Sequence, residues 1–263
     1  MIEISRRHLG LVLCLALGGF STCLEAQFGP LASRGQAAQA RSQEELDAYL
    51  EIVSATDSRS VVRDGNLFAS EFPQSELLGA VYQYQLQAFE RLNDFDGMLA
   101  AGQKALAAAP ESLNVLLTLA PAMANRAAGR PDRTQLLSQA EAYAHRALNG
   151  IAAVRVPHEV SIEQWDARKH EMQCEAHGVL GVVAFQRAQF PAAISELEMA
   201  ISLAPTPEGV QFLRLGLALA SAGKKNDAEQ EFRRAAELGP DSVRNVATDQ
   251  LKKLAGGQRT PPR

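Results

Sequence analysis

The sequence predicts an all-α protein, an α-solenoid of about five helical hairpins closed by a C-terminal capping helix. Three observations predict it. The 263-residue chain is 46% hydrophobic but only 6% aromatic, and alanine and leucine dominate its apolar content, which favours helices over strands. No run alternates apolar and polar residues between hairpin turns, the signature of a half-buried strand. The chain also repeats itself at an interval of about 34 residues, the mark of stacked helical pairs. A net charge of −4 with no polybasic run argues against nucleic acid or anionic lipid as a main partner.

The first element stands outside the fold. Arg6 and Arg7 precede a charge-free apolar stretch, Leu9 to Phe20 (LGLVLCLALGGF), and Ser21 to Ala26 (STCLEA) ends on a small residue. This order is that of a secretory signal peptide. Its apolar part is about half of the roughly 20 residues a spanning helix needs. Residues 1–26 are therefore expected to be cut away after Ala26, giving a chain that begins at Gln27 and is exported, periplasmic or outer-membrane-associated. Two alternatives stand beside cleavage. One is a lipoprotein anchored through Cys23, since Phe20-Ser21-Thr22-Cys23 approximates a bacterial lipobox; the other is retention as an anchor. Cleavage removes Cys14 and Cys23 and leaves Cys174 as the one thiol, so no internal disulfide supports the fold.

Residues 27–42 read as a flexible N-terminal segment, and degenerate helical hairpins fill 43–148. The first hairpin, from Gln43 to about Pro73, opens on Glu44, Glu45 and Asp47, carboxylates that suit the start of a helix dipole rather than a catalytic pair. FASEFPQSEL, residues 68–77, ends one of its helices and starts the next. The second hairpin, Tyr82 through Pro110, has Phe89, the turn Asn93-Asp94-Phe95-Asp96, then Ala105 and Pro110. The third runs from Leu113 to about Leu148 with an expanded loop at Gly129-Arg130-Pro131-Asp132. A linker is expected over 149–160. Two well-formed repeats and the capping helix, Val243 to Leu254, fill 161–255, and 256–263 is a flexible tail.

The two late repeats carry the clearest signal. Ala193, Ala200 and Pro205 follow Gly181 by twelve, nineteen and twenty-four residues, and Ala228, Ala235 and Pro240 follow Gly216 by the same intervals. The pattern resembles the tetratricopeptide repeat (TPR), with its Leu-Gly pair, later alanine, aromatic and proline. Two helices approach closely only where small residues meet, so Gly181 and Gly216 are expected opposite Ala193 and Ala228. The proline ends the second helix, because its ring cannot continue the hydrogen-bond ladder. In the second hairpin Gln85-Leu86 stands where the Leu-Gly pair would be.

What the resemblance implies is a non-enzymatic protein–protein interaction scaffold of the bacterial envelope type, binding a peptide or helix in a concave groove. Carried over position by position, the groove comprises Gln83, Gln87 and Glu90, then Val182, Phe185 and Gln186, then Leu213, Leu217 and Ser221. These residues are mostly apolar or neutral. They lack the lysine and asparagine set of the TPR class that clamps a carboxylate, and so point to an apolar helix or segment. The partner is another protein or peptide, with no cofactor, no nucleic acid and no small-molecule substrate. A groove filled by a second copy, a self-associating structural subunit, is a competing reading.

One stretch raises a different chemistry. His170, Cys174 and His177 share a side of one helix and offer imidazole and sulfur to zinc or copper, with Glu171 or His158 as a fourth ligand. A metal-binding or redox-sensing protein is the alternative function this stretch supports. The zinc-protease motif HExxH fails, because Cys174 stands at its second histidine. The favoured reading is packing, with Ile162, Trp165, Met172, Ala176 and Val183 on the neighbouring stripe. His145 reads as a surface residue, and Phe185 and Phe190 as core. The sequence contains no G-x-S-x-G, Walker A or G-x-G-x-x-G motif, and it assigns no catalytic residue and, on the packing reading, no metal ligand.

Overall fold

The computed structural model describes residues 38–154 and 160–256. The signal-like segment 1–26 with Cys14 and Cys23, the expected start at Gln27, most of the 27–42 segment, His158 and residues 257–263 lie outside the described residues. Among those described there are eleven helices and no strand. They are α1 (Gln43–Ser54), α2 (Ser58–Glu71), α3 (Leu78–Arg91), α4 (Phe95–Ala108), α5 (Leu113–Arg126), α6 (Arg133–Ala153), α7 (Ile162–Gln186), α8 (Phe190–Leu203), α9 (Gly209–Ser221), α10 (Lys225–Leu238) and α11 (Asp241–Gly256). The fold class is the expected all-α, TPR-like one: five helix pairs and a last single helix. Helix α6 continues through Ala153 and so takes up the first part of the expected 149–160 linker.

The helices fall into two compact units, one reaching Leu119 and the other starting at Ala120. The division lies inside α5, beside Pro121, which has no N–H to give to the carbonyl of Leu117.

The first unit is built on local capping and one apolar core. Ser42, Asp57 and Asp94 each accept a backbone N–H from the first turn of the helix that follows, satisfying donors that have no partner inside a helix. Ile52, Val61, Phe68, Leu77, Val81 and Ala88 form the core where α1, α2 and α3 meet. Tyr49 and Tyr84 pack edge to face across it, with ring centroids 6.3 Å apart. In the degenerate Gln85-Leu86 pair the glutamine turns to the preceding helix. Gln85 is buried and lies over Gly65 of α2, where a Cβ would come within 2.7 Å of its Nε2. That nitrogen donates to the Val62 carbonyl at 3.1 Å and to Asn66 Oδ1 at 3.0 Å. The buried amide thus finds two acceptors on the preceding helix.

In the second unit α7 starts from a capping box in which Ser161 and Gln164 bond reciprocally. The two Leu-Gly pairs sit at close helix contacts, but with different partners from those expected. A Cβ on Gly181 would lie 2.6 Å from Leu197 Cγ, and one on Gly216 2.7 Å from Phe232 Cδ1. Leu197 and Phe232 therefore displace Ala193 and Ala228 as the residues laid against the glycines. The alanines are themselves wholly buried, one helical turn earlier. Helices α8 and α10 end at Leu203 and Leu238, just before Pro205 and Pro240.

Candidate functional site

Helix α7 carries His170, Cys174 and His177, and α9 lies beside it. On α7 the expected stripe does not converge on one point. His170 is exposed, while Cys174 and His177 are half-buried. The His177 ring pairs with α8, its Nδ1 2.7 Å from Glu196 Oε2. The Cys174 sulfur turns to α9, where Gln211 Nε2 donates to it at 3.1 Å. Glu171 is engaged by Arg168 at 3.3 Å. Among the described residues no group of three His, Cys, Asp or Glu side chains is placed to hold a metal ion. Burial pushes the Cys174 thiol up, and the Gln211 hydrogen bond only partly opposes it, so the reactive thiolate is disfavoured. Trp165, Met172, Ala176 and Val183 are buried as expected, but Ile162 of the same stripe is exposed.

The residues expected to line a groove divide sharply. Val182, Phe185, Leu213 and Leu217 are core, between 0% and 8% exposed, and a peptide cannot reach them. Phe185 packs its ring against Phe190 at 5.9 Å. Gln87 and Glu90 are exposed, and Gln83, Gln186 and Ser221 half-buried. Gln186 already has partners at the end of α7. Its Nε2 donates to the Ala124 carbonyl, and its own backbone carbonyl accepts from the Arg133 side chain. Beside it Arg187 reaches Glu141 Oε2 at 2.7 Å and Ser138 Oγ at 3.2 Å. This polar clasp fixes the C-terminal end of α7 to the end of α5 and to α6.

One residue outside the expected set stands out. Arg214 is the single charged residue of α9, GVQFLRLGLALAS. It lies one turn beyond Gln211 and close enough to Cys174 for their charges to interact. The residue is half-buried and part of it still meets the surface. That burial pushes its pKa down to about 10, opposed only by the nearby sulfur. Among the described residues it has no hydrogen bond and no ion pair. Gln211 is fixed beside it, because its Oε1 accepts the Glu208 N–H at 2.8 Å while its Nε2 holds Cys174. The planar fork of a guanidinium suits a carboxylate held through two hydrogen bonds. The signal in the sequence was a lone arginine in an otherwise uncharged helix.

No protein-family model and no curated protein matches the chain. Among solved structures it is similar to a thermophilic TPR protein of Thermus thermophilus, with a TM-score of 0.47 and 16% identity over 80% of this chain and 98% of that one. It is also similar to the assembly chaperone of RpL4 (residues 1–338), with a TM-score of 0.43 and 13% identity over 82% of this chain and 98% of that one.

Proposed function

We propose that this protein is a non-enzymatic interaction scaffold that holds a segment of another protein against the face shared by α7 and α9. An acidic group of the partner is set on Arg214. The carrying observation is geometric: a half-buried arginine, the single charged residue of α9, stands one turn from the Gln211 amide that holds Cys174 and has no ion pair among the described residues. The burial of Val182, Phe185, Leu213 and Leu217 moves the preference from an apolar segment to one with a carboxylate. The signal-like residues 1–26 support export to a bacterial envelope as part of this reading, although no helix among the described residues is long and apolar enough to cross a membrane.

Selection of a random peptide library on the purified chain tests the binding site. Peptides bearing Asp or Glu are expected to be enriched, and Arg214→Gln to lose at least tenfold in affinity with unchanged thermal stability. Selected peptides that bind Arg214→Gln equally well would remove Arg214 from the site. Intact-mass measurement of the protein from an envelope fraction tests export. A chain starting at Gln27 is expected; retention of residues 1–26 contradicts cleavage, and added acyl mass on Cys23 shows the lipoprotein instead.

A further inference from the structure

The first and last helices described are finished in opposite ways. A helical array needs a polar outer face on its terminal helices. Helix α11 has one: Arg244, Asn245, Asp249, Lys252 and Lys253 are exposed, with ion pairs Arg244–Asp241 and Lys252–Asp249. Helix α1 buries Glu45 and Ile52 and half-buries Ala48 and Tyr49 toward α2 and α3. Its other side carries Leu46, Leu50 and Val53, which are 36%, 49% and 39% exposed. Spacings of four and three residues put these side chains in one ridge along the helix.

Charge says what fits that ridge. One flank carries the exposed carboxylates Glu44, Asp47 and Glu51, and none has an ion pair among the described residues. Asp47 accepts only from the uncharged amide of Gln43, at 2.7 Å. Helix α1 contains no lysine or arginine. A second copy of α1 would bring the same acids and no basic residue of its own, and like charges at a contact oppose association. We infer that the α1 ridge is a docking surface for a basic amphipathic helix of a partner protein. Leucine-type side chains would cover Leu46, Leu50 and Val53, and lysines or arginines would meet Asp47 and Glu51. This surface is independent of the Arg214 face, and either can fail without the other.

The test uses the full chain and two designed helical peptides of equal length, one of leucine and lysine and one of leucine and glutamate. The Leu/Lys peptide is expected to bind in fluorescence anisotropy, with affinity falling several-fold between low and physiological salt. Leu46→Ser/Leu50→Ser, at two exposed positions that the core does not use, should weaken it at least tenfold, and Asp47→Lys/Glu51→Lys should do likewise. Thermal denaturation of both variants checks that the fold is intact. Equal binding of the Leu/Glu peptide, or equal binding of the Leu/Lys peptide to the ridge variant, overturns the inference. A dimer in light scattering that the ridge variant converts to monomer also overturns it, in favour of a second copy. So does binding by a chain lacking residues 1–37 that the full chain does not show, since the protein's own N-terminal segment would then cover the ridge.

Discussion

Hairpins α7/α8 and α9/α10 share a register yet close their turns with different residues. In α9/α10 the turn residue is Gly223, at φ 82°; in α7/α8 it is Ala188, at φ 60°. The hydrogen bonds around both are the same. The N–H groups of Ala188 and Gln189 donate to Phe185 and Ala184 at 2.9 Å, and those of Gly223 and Lys224 donate to Ala220 and Leu219 at 3.1 and 2.9 Å. This is a Schellman closure, entered without strain by glycine and with strain by alanine, since a left-handed L-residue costs about 1–2 kcal/mol. Packing must therefore enforce in one hairpin what the local sequence supplies in the other. The close contacts tell the same story with other residues: leucine covers the glycine of α7, and phenylalanine that of α9.

The largest way to break this parallel is to remove the covering side chain. Phe232 and Leu197 are 0% and 3% exposed. Phe232→Ala should cost about 3–5 kcal/mol and Leu197→Ala about 2–5, measured by urea titration. A loss below about 1 kcal/mol for Phe232→Ala, well short of the usual core range, would show that its ring is not held against Gly216.

Filling the glycine instead comes next. Gly216→Leu would drive a side chain into the Phe232 ring and should destabilise by roughly 1–3 kcal/mol. The gain in helix propensity from losing glycine, about 1 kcal/mol, opposes this. Ala222→Leu, at the exposed end of α9, should be near neutral. Overpacking at residue 216 should be relieved by truncating Phe232, so the double variant should lose clearly less than the sum of the two single ones. Strict additivity would mean that the two positions do not touch.

The smallest effect lies in the turns and has opposite signs in the two hairpins. Ala188→Gly relieves the backbone but adds freedom to the unfolded chain worth about 0.4–1 kcal/mol, leaving a net gain of about 0.5 kcal/mol. Gly223→Ala should lose about 1 kcal/mol. Calorimetry showing both variants shifted in the same direction would break the comparison.

The late helices and their pairing were legible because the glycine, alanine and proline intervals recur there at one register. The contacts were less legible. Spacing located Gly181 and Gly216 at close approaches but placed the partner one turn early, since Ala193 and Leu197 lie on the same side of α8 and composition alone favours the smaller. The groove fared worst. Helix α9 is apolar nearly all round, and nine of its residues are buried, so no stripe distinguishes the side facing its own hairpin from the side facing the next. The informative residue was the one that broke the pattern, Arg214. Gln85 was unreadable for another reason: its glycine lies on a different helix, twenty residues earlier.

The helix pairs that touch within each unit are neighbours in the chain or one helix further on: α1 with α2 and α3, α9 with α7, α8, α10 and α11. Among the described residues these contacts are local in the chain, and local contacts favour fast folding of each unit. No one hairpin has to fold first, because each needs only the next to cover it. During synthesis the chain can therefore gain structure pair by pair as it emerges, with little waiting for distant segments. Exchange-labelling of the amides during refolding would show protection arising at several hairpins within the same dead time, rather than spreading from a single nucleus.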